Sequence, residues 1–135
     1  MCEQEQFPWE QLDQVSLWLG QFDNEKQLKE YVSFVYQEDV VVKPKFCNDF
    51  LIDFFDEDFM ESFMEELPSN DLLDLLVGCS YDDVIIPKYK ELMMKGFNLK
   101  ANAAILLFNF KYHEKVLENT NNNNCIKYIG TVKYK

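Results

Sequence analysis

The chain has 135 residues, 47% of them hydrophobic and 16% aromatic, and a formal net charge of −11 with no arginine. That length and apolar content suit one domain, 1–135, able to bury a core without staples. The charge argues against a nucleic-acid ligand, which needs Lys or Arg gathered on one face, and against an anionic membrane surface; the partners it favours are basic.

The imbalance is local. Phe46 to Pro87 holds twelve acids and no lysine: Asp49, Asp53, Asp56, Glu57, Asp58, Glu61, Glu65, Glu66, Asp71, Asp74, Asp82 and Asp83. The same stretch carries Phe50, Phe54, Phe55, Phe59, Phe63 and Leu67. A disordered acidic tail is poor in aromatics, so these acids are expected on a folded surface. The start, Met1-Cys2-Glu3-Gln4-Glu5, lacks the positive charge and apolar run of a signal peptide. The longest apolar run, Ala103 to Phe108, is far short of the ~20 residues that cross a bilayer. A soluble cytoplasmic protein is expected. The scattered Cys2, Cys47, Cys79 and Cys125 then read as reduced thiols.

In chain order, residues 1–13 read as a loose arm anchored by Trp9. Val15-Ser16-Leu17-Trp18-Leu19 reads as a strand with Val15, Leu17 and Leu19 on one face, closed by Gly20. Asn24 and Gln27 form a capping box, and Leu28, Tyr31, Val32 and Val35 line one face of a helix over about 25–36. An extended connector follows to Lys45, with Pro44 forcing Lys43 out of the helical region. Asn48 is placed to cap a short helix through Phe54. Residues 59–65 fit either period; a strand is the preferred reading. After Pro68-Ser69, a short helix over Leu72–Val77 is stopped by Gly78. Asp82 or Asp83 is placed to cap a further helix, but the preferred reading has Pro87 in its first turn; it presents Tyr89, Leu92 and Met93 inward and stops at Gly96.

The segment 102–110 is apolar on both faces, as a central strand is. The run Asn119–Asn124 reads as a flexible loop, and 126–134 returns as a strand pairing with 102–110 in a long-looped hairpin. The expected class is α+β: a small, mainly antiparallel sheet with strands near 15–19, 102–110 and 126–134, packed against helices on one side.

Catalytic constellations are weak. His113 is the single histidine, and no elbow or Gly-rich loop surrounds any Ser or Cys, so it reads as a surface residue at a strand end. Asp56-Glu57-Asp58 fails as a calcium loop, because the sixth position is Glu61 where glycine is needed. No metal and no cofactor are expected. Trp18 is expected in the core, and Tyr81, in a Ser-Tyr-Asp-Asp turn, partly exposed among acids, as an interface aromatic would be.

The order Val15-Ser16-Leu17-Trp18-Leu19-Gly20, Tyr31-Val32, Asp56-Glu57-Asp58-Phe59, Ser80-Tyr81-Asp82 and Asn102 to Phe110 resembles the immunity protein 22 family of bacterial polymorphic-toxin systems. The resemblance covers residues 14–112 and leaves out the Asn-rich segment and last strand. It implies a small cytosolic α+β protein that binds and neutralises a cognate toxin; many such toxins are nucleases. The motif residues carried over are Trp18, Asp56, Asp58, Phe59 and Tyr81. Together with the charge, these considerations place a partner-binding surface on Asp53, Asp56, Glu57, Asp58, Glu61, Tyr81, Asp82 and Asp83, facing a basic protein toxin. Two other classes compete: an acidic adaptor module unrelated to toxins, and a carboxylate enzyme acting on a cationic small molecule, which would need a pocket where several acids converge.

Overall fold

The computed structural model describes residues 10–69, 71–93, 100–121 and 124–135. Strand β1 runs Glu10–Gly20, so residues 10–13 belong to a strand and not to an arm; Trp9 lies outside the described residues. Helix α1, Glu25–Val32, is capped by Asn24, whose Oδ1 accepts from the Gln27 N–H at 2.8 Å. Gln27 Oε1 returns the bond to the Asp23 N–H at 2.7 Å, one residue before the expected partner. The helix stops earlier than expected. Ser33 Oγ donates to the Lys29 carbonyl at 2.5 Å, the Ser33 backbone is extended, and β-branched Val35 opens strand β2, Val35–Gln37.

The supposed connector therefore contains a hairpin: β2 pairs with β3, Val40–Val42, across Glu38-Asp39. Helix α2, Lys45–Phe50, starts directly after Pro44, whose carbonyl accepts from the Cys47 and Asn48 N–H groups. Proline fixes the extended-to-helical entry here, which leaves Asn48 inside the helix and not at its cap. Leu51, in the left-handed region at φ 58°, ends it four residues short of expectation, with Phe54 outside.

Strand β4, Met60–Ser69, bears out the strand reading and continues through Pro68. It lies at a sheet edge, where a residue without an N–H is tolerated. Helix α3, Leu72–Leu76, is followed by Gly78 at φ 95°, the left-handed position expected of it. Helix α4, Asp82–Met93, starts a turn earlier than predicted, because the Tyr81 carbonyl accepts from both the Val84 and Ile85 N–H groups. Pro87 consequently sits inside it, and the expected stop Gly96 lies outside the described residues. Strands β5, Ala101–Phe110, β6, Glu118–Asn121, and β7, Asn124–Lys133, complete the chain. The Asn-rich run supplies β6 and the start of β7, while Asn122 and Asn123 lie outside the described residues.

The main sheet has the order β4-β5-β1-β7-β6 and is antiparallel throughout; β2 and β3 form a separate ribbon. β1 thus separates 102–110 from 126–134, which were expected to pair directly. Val15 to Leu19 are fully buried, and a strand apolar on both faces is satisfied only between two neighbours. The pairing of β1 with β7 steps from Leu17↔Gly130 to Trp18↔Tyr128, leaving Ile129 as an extra residue. This bulge turns Tyr128 to the Trp18 side and Ile129, Val132 and Tyr134 to the other. In β5, Asn109 at φ 59° does the same for Phe110.

Helices cover both faces, not one. Trp18, Leu28, Val32, Phe46, Phe50, Tyr112 and Tyr128 form a core under α1 and α2. Val15, Leu17, Leu19, Leu76, Ile85 and Tyr89 form a second under α3 and α4. Buried polar groups lock the layers. Asn102 accepts from the Phe22 N–H at 2.9 Å and donates to the Phe22 carbonyl at 2.8 Å. Tyr89 Oη lies 2.9 and 3.0 Å from the Val15 and Gly130 carbonyls, tying α4 to β1 and β7.

Candidate partner-binding surface

Beyond Asp49, which lies in α2, the acids between Phe46 and Pro87 are distributed over three scaffold pieces, each fixed by its own chemistry. After the left-handed Leu51, Ile52 and Phe55 enter the core, while Asp53 and Phe54 between them face out. Asp56 Oδ1 then accepts from the Asp58 N–H at 2.9 Å and opens a 3-10 turn over Glu57–Phe59. Short acidic side chains favour such turns because they compete for backbone donors two residues on. Glu57 accepts from the Tyr36 hydroxyl at 2.5 Å, and Phe54 lies 5.6 Å from the Phe34 ring. Asp53, Asp56, Glu57 and Asp58 are all exposed, as is Phe59.

The second piece is edge strand β4. Met60 and Met64 pack on the core under α1 and α2; Phe63 packs on the opposite core, and Glu61 shares its side. Glu61 does not point freely to solvent. It accepts from the Ser80 N–H at 3.0 Å and from the Ser80 hydroxyl, linking β4 to the turn between α3 and α4. Further along, exposed Glu65 and Glu66 border an open depression of about 600 Å³ with Asp74, itself bonded by Ser69 Oγ at 2.8 Å. These three carboxylates stay exposed, whereas an acid–base pair needs one member desolvated.

The third piece is the α3–α4 turn. Asp82 Oδ2 accepts from the Gly78 N–H at 3.0 Å, and Asp82 and Asp83 occupy the first turn of α4, where carboxylates complement the helix dipole. Between them and Cys79, Tyr81 adopts φ 60°; its ring rests 4.7 Å from Tyr134 and 6.3 Å from Phe108 and stays half exposed. Burial pushes the Cys79 thiol up to about 12, with Glu61 and Asp82 adding to the effect.

The eight predicted site residues therefore separate into two groups. Asp53, Asp56, Glu57 and Asp58 stand beside Tyr36 and Phe54, on the α1–α2 side of the sheet. Glu61, Tyr81, Asp82 and Asp83 gather around the α3–α4 turn, on the other side. Asp49, in the same stretch, takes a structural part, accepting from Tyr31 Oη at 2.8 Å and lying 3.5 Å from Lys45. Sequence reasoning missed the exposed Val35, Tyr36, Val40, Val41 and Val42. The available signal was the β-branched run Val40-Val41-Val42 after Glu38-Asp39, a hairpin signature.

His113 is also structural. Its Nδ1 accepts from the Lys115 N–H at 3.0 Å, so Nε2 carries the proton donated to the Leu51 carbonyl at 2.8 Å. Among the described residues no group of His, Cys, Asp or Glu is placed to hold a metal ion. Cys47, Cys79 and Cys125 are free thiols, the first two buried. Among the described residues no helix is long and apolar enough to cross a membrane.

The α+β fold, with helices on both faces of its sheet, thus displays exposed carboxylates beside the half-exposed Phe54, Phe59 and Tyr81. The family profile described as Immunity protein 22 matches residues 15–135, and the chain belongs to that family. Membership gives it a toxin-immunity role with a toxin as the class of partner. The match takes in strands β6 and β7, beyond the part in which the motifs were recognised. No curated protein and no solved structure matches the chain.

Proposed function

We propose that this immunity protein acts in the cytoplasm without catalysis, by binding its cognate toxin through the acids displayed between Phe46 and Pro87. The observation that carries the proposal is the exposure of Asp53, Asp56, Glu57, Asp58, Glu65, Glu66 and Asp83 with no lysine in the stretch. Carboxylates left in mutual repulsion lower stability, a cost that a basic partner relieves. A nuclease toxin presents a basic cleft to phosphate, and these acids would occupy it as a substrate mimic. Asp53, Asp56, Glu57, Asp58, Glu61, Asp82 and Asp83 supply the field, and half-exposed Tyr81 an aromatic contact. Opposite fields also raise the association rate, which matters when a toxin must be caught before it acts.

The test is co-expression with the toxin domain encoded beside this chain's gene. Growth should be restored by the wild type, and kon for the purified pair should fall steeply between about 0.01 and 0.15 M salt. Failure to restore growth would sink the proposal; a kon insensitive to salt would remove its electrostatic part. A stable complex with a cellular protein that is no toxin would favour the adaptor reading instead.

A further inference from the structure

Resting on the toxin-binding reading, we propose that the β2–β3 hairpin and Phe54 form the apolar centre of the contact. They would receive a patch of apolar side chains on the toxin that is ringed by Lys and Arg.

All six hairpin residues are exposed, Tyr36 at 66% and Val40 at 59%. Val35 pairs with Val42, Tyr36 with Val41 and Gln37 with Val40, so four valines and a tyrosine stand on a ribbon outside the main sheet. A two-stranded ribbon is marginal in water by itself, and contiguous exposed apolar groups mark interaction sites. Its root is nonetheless fixed. Buried Phe34 lies 6.4 Å from the Tyr36 ring and 5.6 Å from Phe54, and the Tyr36 hydroxyl is held by Glu57. The ribbon is thus presented in one position, which lowers the ordering cost of binding.

Charge decides the occupant. Glu38 and Asp39 stand at the tip, and Asp53, Asp56, Glu57 and Asp58 at the root, all exposed. Of the lysines on the neighbouring segments, Lys45 lies 3.5 Å from Asp49 and Lys29 donates to Ser62 at 2.9 Å, while Lys43 stands exposed against these six acids. An apolar centre with a charged rim is the usual anatomy of a protein interface, with tyrosine a favoured anchor. A second copy of this chain would set acid against acid, and an anionic bilayer or nucleic acid would be repelled. A basic-rimmed protein fits both parts.

The test uses the toxin domain that the co-expression assay employs, titrated against the full chain. A Val40→Ser, Val41→Ser double variant should keep the wild-type Tm, because both side chains are exposed and the Tyr36 contacts that fix the ribbon are untouched. It should bind about 50-fold more weakly, mostly through faster dissociation, while Leu117→Ser, an exposed apolar residue elsewhere, stays within about threefold. Hydrogen exchange of the wild-type complex should slow at the amides of 35–42. Unchanged hairpin exchange with double-variant binding within about threefold of wild type overturns the inference and leaves the immunity role standing. A wild-type dimer that the double variant dissociates gives the hairpin to a second copy and also overturns it. A toxin domain that the wild type neither binds nor silences removes both readings together.

Discussion

The Tyr36 hydroxyl donates to Glu57 Oε1 at 2.5 Å, joining the valine hairpin to the acidic turn twenty-one residues later. The carboxylate favours the neutral phenol, so Tyr36 titrates above the usual tyrosine value, with the Glu57 hydrogen bond the main cause. Glu57→Gln should return that titration toward lower pH and loosen the hairpin without moving Tm. Phenolate absorbance and hairpin amide exchange read the two effects. A Tyr36 titration indifferent to Glu57→Gln would mean that the bond does not form in solution.

Trp18 shows what holds the α1–α2 core. Its ring is fully buried, 4.9 Å from Phe46 in an edge-on arrangement and within 5.3 Å of Tyr112 and Tyr128. Yet its Nε1 has no hydrogen-bond partner among the described residues. Trp18→Ala removes the ring and leaves a cavity, costing about 3–5 kcal/mol. Trp18→Phe keeps aromatic packing and removes an unbonded buried donor, itself unfavourable by about 1–3 kcal/mol, so it should cost less than half as much. Urea denaturation of the two variants checks this; equal losses would show that the indole N–H is satisfied.

Alkaline pH should unfold the protein ahead of chemical damage. Burial pushes Tyr128, Cys47 and Cys79 each up to about 12, from ordinary values of 10.0 for tyrosine and 9.0 for cysteine. The folded state therefore holds these protons after the unfolded chain has lost them. Their contribution is complete below pH 9 and is lost as pH rises from 9 through 12. Tm should be level from pH 7 to about 9 and then decline; a flat profile to about pH 11.5 would refute the burial argument. At about pH 8 a thiol reagent should modify partly exposed Cys125 before Cys47 or Cys79.

How much was legible in the sequence depends on the range of the interaction involved. β1 and β5 were readable because alternation at Val15–Leu19 and two-faced burial at Ala103–Phe108 are properties of single strands. Their neighbours were not, since the insertion of β1 between β5 and β7 is decided across more than eighty residues. Period-2 reasoning also fails where an extra residue, Ile129, or a left-handed one, Asn109, changes which face the next side chain takes. Of the surface, the acids were legible as composition and Tyr81 as a turn aromatic. The hairpin was not, because Pro44 restricts Lys43 to extended backbone, and a β-branched run before it suits a connector as well as a strand.

The acids themselves fall into those that display charge and those that hold the fold, and Glu61 tests the division. Its carboxylate accepts twice from Ser80, at the turn that positions Tyr81 and the start of α4. Glu61→Gln keeps an acceptor for one of these bonds and should cost about 0.5 kcal/mol; Glu61→Ala leaves the exposed Ser80 groups to water and should cost about 1–1.5 kcal/mol. Ser80→Ala removes the hydroxyl bond alone, so the Glu61→Ala, Ser80→Ala double variant should be less destabilised than the sum of the singles, as residues that share a bond require. Asp58 is exposed and contributes a backbone N–H, not its carboxylate, to the turn that Asp56 caps. Asp58→Asn should accordingly leave stability within about 0.5 kcal/mol while weakening the salt-dependent part of kon. Urea denaturation of all five variants, paired with stopped-flow association, separates the two roles. Equal stability losses for Glu61→Ala and Asp58→Asn would show that the Ser80 link does not exist in solution.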